Sequence, residues 1–140
     1  MDSKIPPQNL EAEKAVLGAI LMDDQVMLNI HSMLDPDHFY DPRHSLIYEH
    51  ILKLYRANKA IDVLTLVDQL KKSKKERQSG GETYISEIVT TVPTAANVEE
   101  YADIVKEKAI RRKLVHFGGK LAELSRDESQ SLEDIVNQLE

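Results

Sequence analysis

Apolar residues recur along most of the chain at spacings of three and four, the period of a helix with one buried face. The clearest stripe follows Asp62, which suits an N-cap, and consists of Val63, Leu66, Val67 and Leu70. Similar stripes predict four more short helices, which begin after Asn9, after Asp23-Asp24, at Pro42 behind an Asp41 cap, and at about Glu82. The pattern therefore predicts an all-α fold.

Three breaks in these stripes carry further predictions. Gly18 lies inside the first helix, which should end near Met22, and a glycine among apolar neighbours indicates that another helix crosses closely there. Asn58 is expected to end the third helix in a left-handed conformation. Pro93 is expected to end the fifth helix, at about Val89.

A long helix is predicted from Asn97, its cap, to about Glu128, and its apolar residues form two stripes. The first stripe is Val98, Ala102, Val105 and Ala109, and the second is Ile110, Leu114, Phe117, Leu121 and Leu124. Because the two stripes are rotated by roughly a third of a turn, we expect different partners for them. The first should pack on its own domain, and the second on a later helix or on another subunit. Burial on all sides is disfavoured by the basic residues between Lys106 and Lys113.

One more amphipathic helix is predicted after Ser131, which forms a capping box with Asp134. The adjacent Gly118-Gly119 pair is expected to lie inside the long helix, because the second stripe continues through it. The apolar pattern is still running at Glu140, so we expect the chain to be a fragment of a longer protein.

Composition excludes several classes of protein. The chain has 140 residues, a formal charge of −6 and no cysteine, which argues against disulfides, thiolate metal sites and a DNA-binding polycation. No apolar run approaches membrane-spanning length, and the N-terminus lacks a signal-peptide core. A globular protein of a reducing cytosol is expected.

No arrangement of residues predicts catalysis, a metal or a cofactor. Gly118-Gly119-Lys120 fails as a phosphate loop because leucines occupy positions 114 and 121. His44 and His50 are six apart on one helix and should face different ways. The other three histidines are expected at the surface or in caps. The sequence therefore predicts binding and assembly, not an enzyme.

A basic segment, KKSKKER, spans residues 71–77 and contains Lys71, Lys72, Lys74, Lys75 and Arg77. It could contact nucleic acid or an acidic partner, or it could be a solvated loop. The loop is favoured because no aromatic residue interleaves the charges to stack on a base. Together with residues 106–113, this segment supports an alternative function, a helical nucleic-acid-binding module.

The order of motifs resembles the N-terminal domain of the bacterial replicative DNA helicase, the DnaB family. The matching stretches are PPQNLEAEKAVLGAIL from Pro6, DHFYDPRHSLIYEHILKL from Asp37, AIDVLTLVDQL from Ala60, GGETYISEI from Gly80 and PTAANVEEYADIVKEKAIRRKL from Pro93. His38 and the lysine-rich residues 71–77 depart from the family pattern.

The resemblance implies a non-catalytic, cytoplasmic bacterial collar domain: a flexible arm at 1–8, a helical-bundle head at 9–96 and a helical hairpin at 97–140 with a truncated second arm. Hairpins pair between subunits of a homohexamer, so Ile110, Leu114, Phe117, Leu121 and Leu124 are the expected subunit interface. The implied partners are a second copy, the C-terminal domain of primase, and single-stranded DNA through the whole ring. ATP and Mg²⁺ belong to the motor domain of the parent helicase.

Overall fold

The structure is a computed structural model and describes residues 5–92 and 94–139. Every regular element in those ranges is helical, which confirms the all-α prediction. The α-helices are α1 Leu10–Met22, α2 Met27–Ile30, α3 Pro42–Arg56, α4 Val63–Lys72, α5 Gly81–Thr91, α6 Val98–Arg126 and α7 Leu132–Gln138. Two 3₁₀ segments, Asp24–Val26 and Pro36–His38, precede α2 and α3.

Five of the predicted caps account for where their helical segments begin. Asn9 Oδ1 accepts from the backbone N–H of Ala12 at 3.0 Å, and Asp62 Oδ1 accepts from that of Thr65 at 2.8 Å. Asp23, Asp41 and Ser131 cap the following segments in the same way. Asn58 has a φ of 60°, the left-handed conformation predicted for it. Pro93, predicted to end α5, lies outside the described residues, as do Met1 to Lys4 of the predicted arm and Glu140.

The first of two compact units, Gln8–Ala109, contains the main hydrophobic core. Apolar side chains from α1 to α5 meet there, and Tyr48 of α3 is fully buried among them. The Tyr48 hydroxyl donates to the carbonyl of Leu34 at 2.9 Å, so the polar atom of this buried side chain is satisfied. This core holds α4, with the start of the basic segment, and the helices of the buried polar network described below.

The close helix crossing predicted at Gly18 is confirmed. A Cβ added to Gly18 would lie 2.8 Å from the carbonyl oxygen of Ile88 and would overlap the side chain of Val92. Both residues belong to α5 or its C-cap, so the glycine permits the backbones of α1 and α5 to approach each other.

The two stripes of α6 have different environments, as predicted. The first stripe is buried, and Val98, Ala102 and Val105 join the main core. The units divide between Ala109 and Ile110, whereas the head was expected to end at residue 96. The difference has a physical reason: the first third of α6 supplies apolar side chains to the head, so it belongs to the same unit.

The second unit comprises residues 5–7 and 110–139 of the described chain. Helix α6 continues through Gly118-Gly119 and ends at Arg126, and α7 follows a short turn, both as predicted. Arg112 Nη1 donates to the carbonyl of Pro7 at 2.9 Å, which ties the N-terminal segment to this unit. Among the described residues, no helix combines the length and the apolar character that crossing a bilayer requires.

Candidate interaction surfaces

The second stripe of α6 presents an exposed apolar surface, here called the α6 face: Ile110, Leu114, Phe117 and Leu121. Their side chains are 47%, 62%, 46% and 37% exposed, respectively. The spacings of four, three and four place them on one side of the helix. A Cβ added to Gly118 or Gly119 would meet no atom within 4 Å, so the surface beside the face is open. Exposed apolar side chains on an ordinary protein surface are scattered singly, whereas these four form one row.

The fifth predicted interface residue, Leu124, is placed differently. Its side chain is only 8% exposed, and Ile135 of α7 is buried to the same degree in the same unit. Leu124 therefore packs within its own chain and is not offered to a partner. Val115, which lies outside the predicted stripe, is also exposed on α6. Whether these residues pair subunits stays a prediction.

The basic segment 71–77 begins in the last turn of α4 and continues into the following loop. Its five cationic side chains are all exposed: Lys71, Lys72, Lys74, Lys75 and Arg77. Lys72 Nζ lies 3.1 Å from Asp68 Oδ2, one turn earlier, and both side chains are exposed. The segment is a solvated surface in this chain, and no described contact identifies a ligand for it.

A buried polar network in the head was missed by sequence analysis. Glu13 and His44 are fully buried, and Glu13 Oε1 lies 2.8 Å from His44 Nδ1. The other ring nitrogen, Nε2, lies 2.6 Å from the hydroxyl of Tyr84. Glu13 Oε2 also accepts from the backbone N–H of Tyr40 at 2.7 Å. In the tautomer that carries its proton on Nδ1, His44 donates to Glu13 and accepts a hydrogen bond from the Tyr84 hydroxyl at Nε2.

Charged residues at the edge of this network adjust two pKa values. Burial tends to raise the pKa of Asp41, but hydrogen bonds from the side chain and backbone of Arg43 outweigh it and lower the pKa. Burial raises the pKa of the Tyr84 hydroxyl, and the Arg43 guanidinium, 3.9 Å above the ring, partly offsets that effect. The raised pKa favours the protonated hydroxyl, which can donate a hydrogen bond to Nε2 of His44.

The network joins α1, α3 and α5, and its chemistry is structural. No described buried side-chain polar atom lacks a hydrogen-bond partner, so the polar groups of the network are satisfied inside the head. One sequence signal could have revealed it: Glu13 falls three residues after Leu10 and four before Leu17, inside the apolar stripe of α1. A carboxylate at such a position must find partners in the core.

The remaining histidines behave as predicted or add no site. His50 Nδ1 lies 3.0 Å from Gln69 Nε2, away from the network of His44, so the two histidines do not share a site. His38 acts in a cap, where its Nδ1 accepts from the backbone N–H of Asp35 at 2.9 Å. Asp35, Asp37 and His38 bring potential ligand atoms within 4.8 Å of one another. Two exposed acids beside a capping histidine do not by themselves define a metal site.

Comparison with known proteins identifies the class of domain. The model of the DnaB-like helicase N-terminal domain family matches residues 5–107, and the chain belongs to this family. The crystal structure of the N-terminal domain of DnaB helicase from Mycobacterium tuberculosis superposes with a TM-score of 0.91 and 35% identity, covering 96% of this chain and 95% of that one.

Particular relatives are replicative helicases from bacteria. The replicative DNA helicase DnaC of Bacillus subtilis is 36% identical over all 140 residues, which are 31% of its own length. The N-terminal domain of the Helicobacter pylori DnaB helicase, described together with its interactions with primase, has 28% identity and a TM-score of 0.69 over 82% of this chain and 89% of that one. The chain thus spans between 12% and 31% of the length of the curated relatives it matches.

Proposed function

We propose that this chain is the non-catalytic collar domain of a hexameric replicative DNA helicase. In this function, the second unit pairs subunits through the α6 face, and the collar docks primase during DNA replication. Membership of the DnaB-like N-terminal family supports the proposal.

The observation that carries the pairing function is the α6 face itself. Its four apolar side chains are exposed, whereas those of the first stripe of α6 are buried. Covering such a surface removes apolar area from water at roughly 25 cal/mol per Å². A row along one helix suits a two-fold pair, because both copies then contribute the same residues to the interface. A second copy is therefore the simplest partner.

The further elements of this function belong to the whole helicase. Primase is proposed as a partner because the H. pylori domain and a DnaB-like replicative helicase with a TM-score of 0.76 and 25% identity are both described with primase interactions. That helicase covers 94% of this chain, which corresponds to 32% of its own length. ATP and Mg²⁺ serve the motor domain, single-stranded DNA passes through the assembled ring, and the complex acts in the bacterial cytoplasm.

Two measurements on the 140-residue chain test this function. Sedimentation equilibrium should show a mass that rises from monomer to dimer with concentration. Isothermal titration should detect binding of the C-terminal domain of a bacterial primase, with a Kd of about 1 mM or tighter. A constant monomer mass up to about 1 mM would refute pairing by this chain, and the absence of binding heat at that concentration would refute primase docking.

A further inference from the structure

An open groove of about 470 Å³ lies along the outer side of α4 in the first unit; we call it the α4 groove. One wall is formed by α4 residues four apart: Leu64, Asp68 and Lys72. Leu54 of α3 and Lys59, in the loop after α3, also line the groove. All of these residues belong to the unit Gln8–Ala109, whereas the residues of the α6 face belong to the second unit.

Leu64 is the exposed apolar element of this groove. Its side chain is 78% exposed, whereas Leu66, Val67 and Leu70 of the same helix are buried in the core. Helix α4 thus has an inner apolar face that holds the head together and one large apolar side chain outside it. Beside a groove whose floor includes the aliphatic Leu54, an exposed leucine provides an anchor for an apolar side chain from a partner.

The positive charge around the groove is most concentrated beyond the C-terminal turn of α4. Lys59 and Lys72 line it, and the basic segment 71–77 continues from the C-terminal turn of α4. That segment contains five basic residues and one acid, Glu76, in a chain whose net charge is −6. Asp68 neutralises only Lys72. A partner that crosses from Leu64 toward the basic segment therefore passes from an apolar surface to a concentrated positive one.

We propose that the α4 groove binds an acidic amphipathic helix of a partner protein. Leucine-like side chains of that helix contact Leu64 and Leu54, and its carboxylates face Lys59, Lys72 and the basic segment 71–77. Single-stranded DNA fits less well, because none of the described residues that line the groove is aromatic and bases would have nothing on which to stack. This proposal is independent of subunit pairing.

Fluorescence anisotropy with a labelled designed peptide tests the proposal on the 140-residue chain. The peptide is about four helical turns long, with leucine at i, i+3, i+4 and i+7 positions and glutamate at most others. We expect binding with a Kd of about 10–100 µM that weakens between about 50 and 300 mM salt. Leu64→Glu should weaken binding at least about tenfold, since it places a carboxylate against those of the peptide.

Matched variants distinguish binding of the peptide at the groove from non-specific binding elsewhere on the chain. Met22→Glu makes the same kind of change at another exposed site of the first unit and should leave the Kd within about twofold. A double change of Lys74→Glu and Lys75→Glu should weaken binding and flatten its salt dependence, with Leu64 intact. Circular dichroism should be unchanged for all variants, because each altered side chain is exposed.

Four results would overturn the proposal. The first is no binding of the acidic peptide at about 1 mM. The second is equal binding of a peptide in which lysine replaces glutamate. The third is tighter binding of a thymidine oligonucleotide that Leu64→Glu leaves unchanged, which would make the groove region a nucleic-acid surface. The fourth is a loss of self-association in Leu64→Glu alone, which would make the occupant a second copy of this chain.

Discussion

Phe117 is the most informative residue of the α6 face. Phe117→Glu places a carboxylate in the middle of the row formed by Ile110, Leu114 and Leu121, and it leaves the core of the first unit untouched. Because the side chain is exposed on a long helix and glutamate is a good helix former, the helicity of the chain should survive. The change therefore affects association and not folding.

The magnitude follows from the exposure of the side chain. A phenylalanine buries about 200 Å² when fully covered, so the 46% that is exposed here corresponds to about 90 Å². At about 25 cal/mol per Å², covering that area contributes about 2 kcal/mol per copy. A two-fold interface contains the residue twice, so the loss is about 4 kcal/mol, which is roughly a thousandfold in the dimer dissociation constant. Desolvation of the new carboxylates adds to this loss.

Sedimentation equilibrium over a series of concentrations measures the effect. The matched control is Leu28→Glu, which introduces the same charge at an exposed apolar side chain of the first unit and should leave the dissociation constant unchanged. An unchanged mass profile for Phe117→Glu, in a chain that does self-associate, would refute the assignment of the interface to the α6 face. An equal loss in Leu28→Glu would show that added charge alone disfavours association.

Three further predictions concern the head and the long helix. In urea titration, Gly18→Ala should lower the free energy of unfolding by about 1–3 kcal/mol, because the added Cβ overlaps α5. Gly119→Ala should raise the same free energy by about 1 kcal/mol, because its Cβ meets no neighbouring atom and alanine favours the helix. Tyr84→Phe should cost about 1 kcal/mol in the same assay, since it leaves Nε2 of His44 without its partner. Because the pKa of Asp41 is lowered in the folded chain, its charge stabilises the fold above the pKa of the unfolded state, and this stabilisation is lost as pH falls through the folded pKa. Asp41→Asn should therefore lose less stability than the parent chain when the pH falls below about 4.

Three outcomes would contradict these arguments. Equal effects of the two glycine substitutions would mean that helix propensity, not the contact with α5, decides the result at position 18. A Tyr84→Phe variant as stable as the parent would mean that the buried imidazole has another partner. Identical acid denaturation of the parent and the Asp41→Asn variant would remove Asp41 as a source of acid sensitivity.

Local chemistry made the helices and their caps predictable from sequence. An N-cap such as Asn9 or Asp62 acts within one turn, so its signal is complete in a few adjacent residues. The two stripes of α6 were predictable for the same reason, because helical periodicity alone relates their members. That periodicity does not show which helix or subunit covers the second stripe.

The features that were missed depend on contacts between distant segments. Glu13 and His44 are separated by 31 positions and Glu13 and Tyr40 by 27, and only the packing of α1 against α3 brings them together. Leu124 continues the spacing of the exposed stripe, yet it is buried because another part of the chain covers it. Periodicity shows which residues share a side of a helix, but it does not show which part of that side is covered.

Gly118 and Gly119 lie between Phe117 and Leu121 along α6, and a Cβ added at either position would meet no neighbouring atom within 4 Å. Each glycine costs about 1 kcal/mol of helix stability relative to alanine, so the backbone amides there should exchange with solvent faster than those in the first turns of α6. Any molecule that binds only the ordered helix must also slow that exchange. Association and local order in this stretch are therefore coupled, and deuterium uptake at these two positions would follow the assembly of the domain.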